Sequence, residues 1–184
     1  MQQYGVVDDL TELLEAIRAR ATHPERQSDM AHWWRLPAPA NDAELAAAEA
    51  RLGFPVPLVV RRIYTGIANG GFGPGYGLVG IGGGRTGFRR PGRAWYCEDE
   101  YQAMRSNPQI QWPLQLLPIC DWGCGIYSCI DAADPDAPMF NMYGDALTGA
   151  PAHAITAEGC TFSEWLQAWV SGEDLWEAMT QPEL

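Results

Sequence analysis

The sequence predicts an α+β domain, with helices packed on an antiparallel or mixed sheet. Apolar residues recur at helical spacing near both ends, over Leu10–Ile17 and Phe162–Val170. Short apolar runs bounded by turn residues fall between Leu114 and Ile155. Helices come first, then strands, then helices, an order that argues against alternating βαβ units.

Asp8–Ala21 reads as an amphipathic helix, because Leu10, Leu13, Leu14 and Ile17 make one stripe. Asp8, Asp9 and Glu12 sit near its start, where the helix dipole favours negative charge. Pro24 marks the polar stretch Thr22–Met30 as loop, and Pro37 and Pro39 keep the chain extended after Trp33 and Trp34. Asn41 with Glu44 forms a capping-box pair for a helix over Asp42–Leu52, which Gly53 ends. Pro55 and Pro57 make a rigid turn into a helix reaching about Ala68. Its buried face is expected to carry Leu58, Val59, Ile63, Tyr64 and Ile67.

Asn69-Gly70-Gly71 stops that helix, and Leu78–Ile81 reads as a strand. Gly82–Gly92 is a loop holding Arg85, Arg89 and Arg90, with Arg93 just after it. Trp95–Ser106 suits a short helix better than a strand. Leu114–Cys120 and Ile126–Asp131 read as paired strands around a turn at Asp121–Gly125. A strand is expected near Met139–Tyr143 and a short one at His153–Ile155. Thr161 and Glu164 open a helix with the stripe Phe162, Trp165, Leu166, Trp169 and Val170. Ser171-Gly172 breaks it before a last helical piece with Leu175, Trp176 and Met179. No internal repeat is visible. One domain over 1–184 is expected, with residues 1–30 an N-terminal helix and loop and 36–170 the core.

The chain has 184 residues, is 47% hydrophobic and contains eight Trp, enough for one sizeable core. Its formal net charge is −11. All twelve basic residues are Arg, so lysine Schiff-base chemistry and a P-loop lysine are excluded. An acidic surface repels nucleic acid and anionic membrane, favours solubility and suits a basic protein partner. The start lacks a charged and an apolar region of signal-peptide type, and no apolar run nears the ~20 residues that span a bilayer. Five scattered Cys form no CxxC pair. A soluble, cytoplasmic protein with reduced thiols is expected, with Cys124 and Cys129 packed in or beside strands.

The residues argue against the common chemistries. GxGxxG occurs at Gly75-Gly77-Gly80 and at Gly82-Gly84-Gly87. The dinucleotide motif needs a strand before it and a helix after it, and the first match has the reverse. The second lies in an Arg/Pro-rich loop. Those arginines lack aromatic interleaving, and a solvated loop, or pairing with Glu98, Asp99 and Glu100, is the expected role. Asp131, Asp134 and Asp136 lack the Gly and Glu of a calcium loop and read as turns. His23, His32 and His153 are dispersed, and nothing in the spacing joins Cys124 or Cys160 to His153. No catalytic residue, metal or cofactor is expected. Of Trp33, Trp34 and Trp122, only Trp122, in its turn, is expected to be exposed.

Leu36–Gly84 carries a family resemblance. Its pieces are Leu36-Pro37, Glu44, Ala48-Glu49, Leu52-Gly53, the Pro55/Pro57 turn, Leu58, Tyr64, and Asn69-Gly70-Gly71 with Gly73. Asp121-Trp122-Gly123 and the strand ending at Asp131 follow in order. In this the chain resembles the SUKH superfamily, related to the fungal cell-wall-synthesis regulator. The resemblance covers about two-thirds of the chain and implies an α+β fold with no shared catalytic residues. It also implies an immunity protein that binds a cognate bacterial toxin domain, such as a basic nuclease, stoichiometrically. Glu98, Asp99, Glu100, Asp121 and Asp145, with Trp122 as aromatic anchor, are the candidate contacts. A regulatory scaffold is the alternative, and an enzyme for a small ligand near the glycine run is the third reading.

Overall fold

The computed structural model describes residues 5–23, 36–82, 96–108, 111–143 and 155–180, without side chains for 5–9 and 180. Asp145, the Arg85–Arg93 loop, Trp33, Trp34 and His153 lie outside them. Three helices come first: α1 (Gly5–Ala21), α2 (Asp42–Leu52) and α3 (Leu58–Gly66). Helix α4 (Cys97–Ser106) precedes four strands: β1 (Leu116–Gly123), β2 (Ile126–Asp131), β3 (Pro138–Met142) and β4 (Ile155–Thr161). Helices α5 (Phe162–Ser171) and α6 (Leu175–Thr180) complete the described chain. The sheet is an antiparallel meander in the order β1-β2-β3-β4. The fold is therefore α+β.

Local sequence sets the helix ends. The Asn41 side chain accepts from the Glu44 N–H at 2.9 Å, and Glu44 Oε2 accepts from the Asn41 N–H at 2.8 Å. Gly53, at φ 83°, closes α2 in the left-handed region. Thr161 and Glu164 make the same reciprocal pair at α5, which ends at Gly172. Helix α1 packs on α5 and α3, α2 on α4, and α4 on β1. Ile17, Leu45, Val60, Ile63, Phe72, Leu117, Ile119, Ile130 and Phe162 are fully enclosed between them. Burial of such side chains is worth roughly 1.5–3 kcal/mol each before chain entropy is subtracted.

Several boundaries differ from the sequence expectation. Leu58 is not on the buried face of α3; it is 59% exposed. The buried stripe is Val59, Val60, Ile63 and Tyr64, and Leu58, the first helical residue, falls off its edge. Leu78–Ile81 makes only isolated bridges, Leu78 to Cys120 and Gly80 to Tyr96. The reason is the turns around it: Gly77 and Gly82 both have positive φ, so the ladder cannot propagate. Asn69 supplies what the missing ladder would. Its amide donates to the Ile81 carbonyl at 2.7 Å and its oxygen accepts from the Ile81 N–H at 2.8 Å. β1 runs on through Asp121 and Trp122 to Gly123, so the turn is shorter than expected, and Cys124 in it is exposed rather than packed. β4 is seven residues long, where only a short strand at 153–155 was expected.

Candidate interaction surface

The glycine-rich stretch folds back onto β1 through backbone contacts. Tyr76 N–H donates to the Asp121 carbonyl at 2.8 Å, and Val79 N–H to the Ile119 carbonyl at 2.9 Å. Gly75 lies so close to the Trp122 indole that a Cβ there would sit 2.7 Å from a ring carbon. The stretch is therefore a cover for Trp122. Its first GxGxxG match is spent on packing, without the strand–turn–helix that would cradle a phosphate.

Trp122 is 7% exposed, which corrects the expectation of an exposed turn residue. Extension of β1 carries it off the turn, and its Nε1–H donates to Ser128 Oγ at 2.9 Å. Ser128 Oγ in turn lies 3.3 Å from Asn141 Oδ1, so a polar line crosses β1, β2 and β3 beneath the helices. Glu158, on β4, adds a carboxyl that burial pushes up to about 7, against the opposing pull of hydrogen bonds from Ser128 and Trp165.

Trp176 of α6 stands against the outer side of Trp122. Their ring centroids are 5.7 Å apart at 47°. Trp176 keeps 43% of its surface exposed. Behind it, Trp169 of α5 is capped by Arg20 of α1, whose guanidinium carbon lies 5.0 Å from the ring centroid. Arg20 also donates to the Val170 carbonyl at 3.3 Å. These groups border a groove of about 420 Å³ whose lip carries Glu173 and Asp174. The helix break expected at Ser171-Gly172 is present: Gly172 ends α5 in the left-handed region, and Asp174 Oδ1 accepts from the N–H groups of Trp176 and Glu177 to start α6. The Tyr143 hydroxyl donates to the Met179 carbonyl at 3.0 Å, fixing α6 to the end of β3.

Of the candidate contacts named from sequence that are described, Trp122 alone lines this groove. Glu98 is 1% exposed. Its Oε1 accepts from the Gly82 N–H at 3.0 Å and from Arg51 at 3.3 Å. Burial pushes its carboxyl up, and the Gly82 and Arg51 contacts pull it partly back. Arg51 also pairs with Asp99, so the partner of this acidic cluster within the described residues is on α2. Glu100 is buried and accepts from the Tyr127 hydroxyl at 2.9 Å. Asp121 is buried and accepts from the Gly123 N–H at 2.7 Å. Asp99 keeps partial exposure on α4, away from the groove lining. What the sequence reading missed is Trp176 with Glu173, Asp174 and Arg20. The available signal was a Trp in a short terminal helix, set directly after Gly172-Glu173-Asp174.

The remaining chemistry is structural. Burial pushes the Cys97, Cys120 and Cys129 thiols up, and Cys160 to about 11, so none of these is a ready thiolate near neutral pH. Asp131 and Asp134 accept from the N–H groups of Ala133 and Asp136, as turn residues do. Among the described residues no three His, Cys, Asp or Glu side chains are grouped to hold a metal ion. No helix among them is long and apolar enough to cross a membrane.

The family profile described as SMI1 / KNR4 family (SUKH-1) matches residues 39–168. The chain belongs to this family. The match begins just before the capped start of α2 and ends inside α5, so it spans α2, α3, α4, the glycine stretch and the sheet. α6, which carries Trp176, lies beyond it, as does α1 with Arg20. No curated protein matches the chain. Membership in the SMI1/KNR4 family fits a non-catalytic binding role at the level of the family.

Proposed function

We propose that this SUKH protein is an immunity protein, acting in the cytoplasm, that neutralises a cognate toxin domain by stoichiometric binding. The observation that carries the reading is the groove between α5, α6 and β1. It presents a half-exposed indole braced by a second Trp, with carboxylates at its lip. Binding energy at protein interfaces concentrates in such aromatic anchors, and rim charges steer the encounter. The net charge of −11 favours a basic partner, such as a nuclease domain. Among the described residues, Asn69, Glu100, Asp121 and Ser128 spend polar atoms on backbone and on neighbouring side chains, which favours binding over catalysis. Asp99, the partly exposed one among the described sequence-named acids, serves as a peripheral charge on the same reading.

Co-expression with the toxin domain encoded beside this chain tests the proposal. Rescue of growth together with a co-purifying complex is expected. A toxin that still kills, with no complex formed, refutes it. Capture of endogenous proteins in the absence of any toxin interaction would instead favour a regulatory scaffold.

A further inference from the structure

The groove's own contents point to the chemistry of its occupant. Arg20 lies over the Trp169 ring with its guanidinium bonded to a carbonyl, so an arginine is already accommodated against one indole here. Trp176 offers a second indole, 43% exposed and propped from behind by Trp122. Glu173 and Asp174 are exposed at the lip beside it. Asp174 uses Oδ1 for the α6 backbone, but a carboxylate has further lone pairs to offer. A flat cation between an aromatic face and carboxylates is what a guanidinium satisfies and an ammonium satisfies less well, because the guanidinium is planar and weakly hydrated.

We propose that the groove takes an arginine side chain from a basic segment of the partner, stacked on Trp176 and paired with Glu173 and Asp174. The inference rests on the groove being the partner-binding surface. It adds the residue type that enters it. Because the indole is held by Trp122 before binding, little ordering cost remains to be met on association.

The test uses the whole chain and the capped tetrapeptide Gly-Arg-Arg-Gly, with lysine and citrulline versions as controls. Indole N–H signals are followed by NMR during titration. The arginine peptide should shift the Trp176 and Trp122 signals saturably, and the lysine peptide should bind more weakly by about threefold or more. The citrulline peptide, matched in shape but uncharged, should leave them in place. Glu173→Gln should weaken binding about threefold or more with thermal stability unchanged, and Trp176→Leu should weaken it as much while the indole N–H signals of the remaining tryptophans stay dispersed as in the folded parent. Three results overturn the proposal. They are equal binding of the citrulline peptide, shifts confined to indole signals other than those of Trp176 and Trp122, and concentration-dependent shifts without peptide, which mean a second copy occupies the site. An intact toxin complex with no peptide response removes the arginine and keeps the binding role. A peptide response without toxin rescue removes the toxin and keeps the pocket.

Discussion

At Asn69 a single amide both donates to and accepts from Ile81, and the residue is 2% exposed. Asn69→Ala leaves two buried backbone groups without partners and should destabilise by about 2–4 kcal/mol in urea unfolding. Asn69→Asp is nearly isosteric but cannot donate when ionised. It should be comparably destabilised at neutral pH and recover in part at acid pH, where the carboxyl regains a donor. Glu158 gives a second pH signature. Its carboxyl is raised by burial to about 7, above its ordinary value of 4.5. The folded state therefore binds a proton that the unfolded state has released between those values. Its contribution to stability is present below 4.5 and lost as pH rises through about 7. Glu158→Gln should flatten this decline, with the variant gaining on the parent by a few degrees in thermal unfolding as pH rises. An equal pH dependence in both would remove Glu158 as its source.

At the scale of elements, the helix ends and the α2–α4 clamp decide local stability. Thr161→Ala removes the reciprocal cap of α5 and should cost about 1 kcal/mol. Arg51 joins α2 to α4 by bonding Glu98 and Asp99, while its carbonyl accepts from Gln102 at 2.7 Å. Arg51 is itself half-exposed, so solvent screens the pair, but Glu98 is buried and would be left with one partner fewer. Arg51→Met should therefore cost about 1–2 kcal/mol, and Glu98→Gln in the same chain should return part of it. The elements most legible in sequence are those with both a cap and a stripe, α2 and α5, whose starts were read to the residue. Leu78–Ile81 was read as a strand from its apolar run, but propensity says nothing of the turns that isolate it. In sequence Trp122 stands within the turn-like Asp121–Gly125. The ladder to Tyr127 and Ile126 holds it in β1, and ladder pairing is a tertiary fact.

At the scale of the whole molecule, the fold class followed from the order of periodic segments, and the family from spaced short motifs. The groove did not. It is assembled from α1, the glycine stretch, β1, α5 and α6, residues far apart in sequence whose meeting depends on packing. Glu98, Asp99 and Glu100 cluster in sequence, yet Glu98 and Glu100 are buried because α4 turns them inward onto Gly82 and Tyr127. Charge acts at this scale too. With a net charge of −11, association with a basic partner should slow as salt rises, since screening shortens the reach of the field to about 8 Å at physiological ionic strength. The most direct measurement is calorimetric titration of the toxin domain into the parent chain and into Trp176→Ala. A stoichiometric complex with the parent, weakened about thirtyfold in the variant, is predicted, as for an anchor worth about 2 kcal/mol. Equal affinity for both chains, or no heat of binding to either, would contradict it.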